Sequence, residues 1–161
     1  MGMPHDPVRD IMRRTMHNLQ FVEARAGVDG PYEVTQLINS FLGALAHPWE
    51  AYRHDLTAVS LAEARAAGWP GVDKERPSDR EPDSLGDLVR LMRNALAHGD
   101  VEFLPDASPE IRALRLWNTD RGRRTWGAVV TIADMRPFLN RFVALAEELH
   151  GRQVKSRPRI A

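Results

Sequence analysis

Apolar residues recur at three- and four-residue steps along this 161-residue chain, and this spacing limits the fold more than any other feature of the sequence. Such steps place side chains on one face of an α-helix. The clearest stretches run from Asp6 to about Gly27, from Tyr32 to Ala46, from Ser84 to Gly99 and from Asp134 to His150. Their apolar faces must be buried against one another. The sequence therefore predicts a mainly α protein, an antiparallel bundle of four or five helices.

Proline and glycine set the expected ends of these helices. The residue before a proline is driven out of the helical region, so we expect the second helix to end before Pro48. A weaker third helix is expected from Trp49 into the alanine-rich stretch that Gly68 ends. Gly151 is expected to end the last helix. The length suits one domain, which we assign to residues 1–150, followed by a basic tail at 151–161.

The periodicity changes between the last two helices. Residues 101–104, 111–117 and 125–132 have the composition of short strands. The residues from Asn118 to Gly122 are typical of a tight turn, so we expect a small β-hairpin before the last helix. The stretch Gly71–Asp83 is charged and rich in proline, and we expect it to be a solvated linker.

Composition removes several classes of function. The chain has 22 basic and 22 acidic residues, which argues against a nucleic-acid binder that works through bulk positive charge. The absence of cysteine excludes a disulfide scaffold, a thiolate nucleophile and a cysteine-ligated metal. No stretch approaches the ~20 apolar residues of a membrane span, and the first residues lack the pattern of a signal peptide. We therefore expect a cytoplasmic protein with no membrane partner.

Two histidine patterns suggest metal binding, but neither is complete. Glu147 and His150 form a Glu-x-x-His pair, whereas a di-iron bundle needs two such pairs and two further glutamates. His47, Glu50 and His54 share a helix face only if the helix begins before a proline, and no further ligand is evident. We expect no metal and no cofactor. The four tryptophans are assigned to the core or to a dimer interface rather than to base stacking.

The best candidate site is the string from Arg93 to Gly99 at the end of the fourth helix. Asn94 and His98 are four residues apart, so they lie one above the other on the same face. Arg93 and His98 are five residues apart, so they diverge by more than about 100°. They could meet over one small group only if the helix end unwinds, or if a second copy of the chain brings its own motif across a two-fold axis.

These residue types suit RNA cleavage. The last turn of a helix favours a cation, and a protonated imidazole with a guanidinium makes an anion site. RNA carries its own nucleophile in the 2′-hydroxyl, so cleavage needs only proton transfer and charge stabilisation. The candidate catalytic residues are Arg93, Asn94 and His98, and the candidate substrate-binding residues are Arg90, Arg121, Arg123 and Arg124. The alternative to a functional site is that His98 belongs to an ordinary helix end before a glycine and that the arginines form a solvated face.

The string Arg93-Asn94-Ala95-Leu96-Ala97-His98 resembles the Arg-polar-x-x-x-His signature of HEPN domains, with asparagine in the polar position. Residues 39–50 and 114–118, together with Trp126, are similar to a small stand-alone bacterial branch of that family, often found on plasmids. The resemblance implies a four-helix-bundle homodimer whose two motifs face one another in a composite cleft. It also implies metal-independent endoribonuclease activity, in which Arg93 holds the scissile phosphate, His98 transfers a proton and Asn94 orients the motif or the substrate.

The resemblance leaves more than one function open. Many such proteins are toxins of toxin–antitoxin pairs, with an antitoxin protein as partner, or act in phage defence. Other relatives have lost catalysis and bind RNA as scaffolds. We expect an RNA-cleaving homodimer. The alternatives are an inactive dimer that binds RNA, a nucleotide or a partner protein, and a helical interaction protein whose motif is coincidental.

Overall fold

A computed structural model describes residues 6–27, 30, 32–105 and 110–156 of the chain. Within these residues the elements follow in the order α1 (Pro7–Glu23), α2 (Glu33–Thr57), α3 (Leu61–Ala66), α4 (Leu85–His98), β1 (Val101–Pro105), β2 (Ile111–Asp120), β3 (Arg123–Thr131) and α5 (Ile132–Ser156). The prediction of a mainly helical chain is confirmed. None of the helices described is both long enough and apolar enough to cross a membrane.

Capping side chains fix the starts of α1 and α4. The Asp6 carboxylate accepts a hydrogen bond from the backbone N–H of Arg9, and Ser84 does the same for Asp87. Gly99 ends α4 with φ at 73°, a left-handed conformation that glycine adopts without steric cost. α4 therefore lies where the sequence predicts it, and α1 begins as predicted but ends at Glu23, before the predicted end at Gly27.

The second helix differs from the prediction. Instead of ending before Pro48, α2 continues from Glu33 to Thr57, and only the short α3 follows. A proline inside a helix costs roughly 3 kcal/mol. The apolar face continues past it, however, since Tyr52 and Leu56 are buried, and each such side chain contributes about 1.5–3 kcal/mol. Burial of one continuous face therefore outweighs the lost backbone hydrogen bond.

The last helix also runs further than expected. α5 continues through Gly151 to Ser156, so the first part of the predicted tail is helical. A glycine inside a helix costs only about 1 kcal/mol, and an ion pair between Glu148 and Arg152 spans this turn. Residues 157–161 of the predicted tail lie outside the described residues.

The core lies where α2 packs against α1, α4 and α5. Its largest members, each at most 1% exposed, include Leu19, Phe41, Met92, Trp126 and Phe138. A Cβ on Gly86 would touch the backbone of Leu56 and Thr57, so α4 begins close to the end of α2. Arg93, two turns later, lies beside Trp49 and Glu50. The helices α2 and α4 therefore run antiparallel, and the second half of α2 forms one side of the motif.

All three predicted strands are present, and they form one antiparallel sheet in the order β1-β2-β3, whereas the sequence predicted pairing only for the last two. The predicted hairpin is present. Its turn, Arg121-Gly122, has φ values of 48° and 76°, as a two-residue type I′ turn requires. β1 pairs with β2, with Val101 opposite Leu116. One face of the sheet packs on α4 and α5, and the other faces away from the helices.

The charged stretch at residues 71–83, which we call the strap, is not a solvated linker. Lys74 forms a β-bridge with Ala128, and the Glu75 amide donates to the carbonyl of Gly127 at 2.9 Å, so the strap extends the free edge of β3. Asp79 is 3% exposed, and its carboxylate accepts two hydrogen bonds from Arg124, at 3.0 and 2.9 Å. Two of the charges that suggested solvation, Glu75 and Asp79, are instead paired with Arg115 and Arg124 of the sheet.

Candidate functional site

The motif at the end of α4 presents its side chains in two directions. Arg93 points towards α2, where its Nη2 lies 3.7 Å from Oε1 of Glu50 and its guanidinium carbon lies 5.5 Å from the centre of the Trp49 ring. Its Nη1 also donates a 3.3 Å hydrogen bond to Oδ1 of Asn94. His98 is exposed in the last turn. The structure therefore brings Arg93 and Asn94 together within one chain, whereas His98 lies on a different side of the helix from Arg93.

The end of α4 does not unwind. The Gly99 amide donates to the carbonyl of Leu96 at 3.3 Å and the Asp100 amide to that of Ala95 at 2.9 Å. This pair of bonds is the Schellman motif, which closes a regular helix. Arg93 and His98 are thus separated by about 140° around the axis and about 7.5 Å along it. The sequence left two ways for Arg93 and His98 to meet over one small group, an unwound helix end or a second copy of the chain. This structure excludes the unwound helix end.

Arg93 is held loosely enough to bind an anion. Its side chain is 29% exposed, and its partner Glu50 is 58% exposed at a distance close to the limit of an ion pair. The Trp49 indole beneath it is fixed by a 3.1 Å hydrogen bond that Nε1 donates to the carbonyl of Gly86. A guanidinium has five N–H donors. The contacts with Glu50 and Asn94 therefore leave donors for a phosphate.

Arg90, one turn before Arg93, is paired within the chain. Its Nη2 donates to Oδ1 of Asp87 at 2.7 Å, and Arg80 donates to the same oxygen at 2.8 Å. Burial raises the pKa of Asp87, but the hydrogen bonds from Arg90 and Arg80 outweigh that effect and hold the pKa below its usual value. Asp87 is therefore ionised at neutral pH and offsets part of the positive charge. The Arg90 side chain stays 40% exposed, and its contact with RNA stays a prediction.

The hairpin arginines fall into two groups. Arg121 and Arg123 are exposed at and beside the turn. Arg124 is only 16% exposed, and it forms ion pairs with Glu75 and Asp79 of the strap. The Arg124 guanidinium is the main cause of a lowered pKa at Glu75, so this pair is charged at neutral pH. RNA contact by all three arginines stays a prediction, but Arg124 also holds the strap to the sheet.

The turn of the hairpin starts beside the middle of α4. Asn118, near the end of β2, donates from Nδ2 to the carbonyl of Leu91 at 2.8 Å. On the returning strand, the carbonyl of Thr125 accepts from the amide of Arg80 at 3.2 Å, and Arg80 in turn pairs with Asp87 of α4. Both strands are therefore fixed close to α4 where the exposed turn begins.

The two residues of the Glu-x-x-His pattern have other partners. Glu147 accepts hydrogen bonds from Arg9 at 2.7 Å and from Arg13 at 2.8 Å, and Nδ1 of His150 lies 3.0 Å from the Asp6 carboxylate. These contacts join α5 to α1. Within the described part of the chain, no three histidine, aspartate or glutamate residues are grouped so that they could hold a metal ion. The side chain of His47 lies outside that part.

A comparison with known protein families covers the whole motif. A family model described as HEPN pEK499 p136 matches residues 1–153, which includes the whole motif and almost all of α5. The chain belongs to this HEPN family. The predicted resemblance to HEPN domains is thus confirmed. Searches of curated proteins and of solved structures gave no match.

Trp49 and Glu50 are the neighbours of this HEPN motif that the sequence did not reveal. A helix that ends before Pro48 gives no reason to align them with α4. The sequence does carry a sign of a continuous helix after Pro48, because Tyr52 and Leu56 continue the apolar spacing of the preceding stretch in phase. A helix continued through the proline would have placed both residues next to α4.

Proposed function

We propose that this HEPN chain is a metal-independent endoribonuclease that acts as a homodimer on single-stranded or looped RNA. The set Arg93, Asn94 and His98 at the closed end of α4 is the observation that carries the proposal. Arg93 is half-buried with donors to spare, which suits a phosphate clamp. His98 is exposed, which suits a group that must exchange protons with a substrate.

The reaction is a transesterification. The 2′-oxygen attacks the adjacent phosphorus, the bond from phosphorus to the 5′-oxygen breaks, and the products carry a 2′,3′-cyclic phosphate and a 5′-hydroxyl. One proton leaves the 2′-hydroxyl and one reaches the 5′-oxygen, and His98 serves in this transfer. Arg93 neutralises the charge that develops on the phosphate. Asn94 orients Arg93 through their 3.3 Å hydrogen bond.

The regular helix supports a site built by two chains. Arg93 and His98 leave α4 in different directions, so one protomer directs them at different places. A second protomer related by a two-fold axis brings its own pair, and the phosphate clamp of one chain can then face the imidazole of the other. Light scattering at micromolar concentration tests this part of the proposal. A monomer that nevertheless cleaves RNA would contradict the composite site.

Cleavage of a labelled single-stranded RNA in the presence of EDTA tests the activity. We expect His98→Ala and Arg93→Ala each to lower the rate by at least about 100-fold, the usual contribution of a proton-transfer group or a charge stabiliser. His17→Ala on α1 and Arg152→Ala on α5 are matched controls at exposed positions and should cleave normally. A 2′-deoxy nucleotide at the cleaved position should block the reaction. If wild type and all four variants behave alike, the catalytic assignment fails.

We propose further that the nuclease acts as a toxin with an antitoxin partner or in phage defence. Induced expression of a toxin should arrest bacterial growth, and His98→Ala should remove the arrest at equal protein level. The alternative is an inactive dimer that binds RNA or protein. RNA binding that survives in His98→Ala, with no cleavage by wild type, would favour that alternative.

A further inference from the structure

Trp117 lies on the face of the sheet that is turned away from the helices. Its neighbours on β2 point inward, because Leu116 is 1% exposed and Asn118 is bonded to α4. Successive side chains of a strand point to opposite faces, so Trp117 points outward. Trp126 belongs to the core and Trp49 and Trp69 pack against it, whereas Trp117 lies outside this cluster. The half-buried Trp117 indole is therefore not explained by core packing.

An open cleft of about 490 Å³ surrounds Trp117 on this face. The lining side chains that matter here are Glu75, Arg76, Glu102, Arg115, Trp117 and Arg124. Three of them are arginines and two are glutamates, and the buried Asp79 carboxylate, which pairs with Arg124, balances the third arginine. An indole surrounded by guanidinium groups is the combination that proteins use to bind unpaired bases with their phosphates.

Carboxylates hold Arg115 and Arg124 of the cleft in place. Glu75 accepts from Nε of Arg115 at 2.7 Å and also from Arg124, while Glu102 pairs with the other side of Arg115. Gly127 lies directly opposite Trp117 on β3, and a Cβ there would come within 1.7 Å of Nη2 of Arg124. The missing side chain thus allows the guanidinium to lie across the strand beside the indole. The cleft is preorganised, so it loses little entropy on binding.

We infer that this cleft binds an unpaired RNA base, which stacks on the Trp117 indole while the arginines contact its phosphate. The inference rests on the proposed function, because it gives the RNA substrate a second binding site away from the motif. Gly122 of the hairpin turn lines the cleft, and Arg121 and Arg123 flank it in the chain. Since the turn starts beside α4, these two arginines would guide the RNA backbone from the cleft towards the motif.

Binding of a fluorescein-labelled 12-nucleotide single-stranded RNA, followed by anisotropy, tests the inference. The His98→Ala background prevents cleavage during the measurement. Trp117→Ala should weaken binding by about 5- to 100-fold, the contribution of one stacked base, and Trp117→Phe should weaken it less. Phe103→Ala is the matched control, because Phe103 is 54% exposed on the same sheet but faces its other side. Equal affinities of Trp117→Ala and the background protein would overturn the inference.

Intrinsic fluorescence gives a second readout that does not depend on Trp117→Ala folding well. Unlabelled RNA should quench the tryptophan emission of the background protein, and Trp117→Phe should lose most of that quenching. Trp49 lies beside Arg93 of the motif and adds quenching of its own, so quenching that is undiminished in Trp117→Phe is the result that would overturn the base site. If Trp117-dependent quenching is found but wild type cleaves nothing, the proposed nuclease fails and the base site stands. If cleavage depends on His98 but RNA causes no quenching, the base site fails and the nuclease stands.

Discussion

Replacement of Asp79 by alanine tests whether the strap is a structural part of the sheet. Asp79 is 3% exposed, and its carboxylate accepts hydrogen bonds from Nε of Arg124 at 3.0 Å, from Nη2 of Arg124 at 2.9 Å and from the Arg76 amide at 2.9 Å. Asp79→Ala removes all three. It leaves a guanidinium that is 16% exposed with Glu75 as its other partner.

The expected loss of stability follows from this burial. Removal of one partner from a buried ion pair costs roughly 3–5 kcal/mol when the remaining charge is left unpaired. Glu75 still contacts Arg124, so we expect the lower end of that range, about 3 kcal/mol. In a domain of this size each kcal/mol shifts Tm by about 2–4 °C, which gives a fall of about 6–12 °C.

Urea denaturation followed by far-UV circular dichroism measures the free energy of unfolding, and a thermal scan measures Tm. Asp73→Ala on the same strap is the matched control, because Asp73 pairs with Arg65 at 3.3 Å while its side chain is 90% exposed. Its effect should lie within about 0.5 kcal/mol of zero. If Asp79→Ala and Asp73→Ala lose the same stability, the strap is a solvated linker and the reasoning is wrong.

Two further changes test the helix packing and the link from α1 to α5. Gly86→Ala should destabilise the fold by about 1–3 kcal/mol, because the added Cβ would come within 2.7 Å of the Thr57 amide nitrogen. Gly43→Ala is the control, since a Cβ at Gly43 meets nothing described within 4 Å. It should stabilise α2 by up to about 1 kcal/mol in the same urea assay. Hydrogen bonding from Arg9 holds the pKa of Glu147 below its ordinary value of 4.5. The ionised Glu147 carboxylate therefore stabilises the fold above pH 4.5, and this stabilisation is lost as the pH falls further. The stability gap between wild type and Glu147→Gln should therefore shrink between pH 5 and about pH 2, and a constant gap across urea titrations at these pH values would contradict this.

The parts of the fold that the sequence predicts well are those with local signals. The Asp6 cap, the Ser84 cap and the Gly99 terminus fix α1 and α4, and the turn residues after Asn118 fix the hairpin. The course of α2 is different, because the local cost of Pro48 is outweighed only by burial against other helices. No local rule measures that burial, so the sequence indicated two helices where one continuous helix forms.

The strap was missed for a related reason. Two of its acidic residues, Glu75 and Asp79, pair with arginines that lie 40 to 49 positions further along the chain. The charge composition of a short stretch of sequence cannot distinguish a solvated charged segment from one whose ion-pair partners lie on a distant strand. The pairing also shows that a neutral total charge does not exclude exposed positive charge. Part of that balance is fixed in internal pairs such as Asp79 with Arg124, while Arg121 and Arg123 stay exposed to a polyanion.

The candidate site likewise has one feature that the sequence predicts and one that it does not. The divergence of Arg93 and His98 could be derived from spacing alone, because the angle per residue is a property of the helix, and the bonds at Gly99 show that it holds to the last turn. The neighbours of Arg93 could not be derived, since Glu50 reaches it only through the continuous α2. These facts have one consequence for the proposed nuclease. The two side chains point apart on a regular helix, so the nuclease that we propose uses a second chain to complete the site. A substitution that separates the dimer without unfolding the protomer should therefore abolish cleavage as completely as His98→Ala.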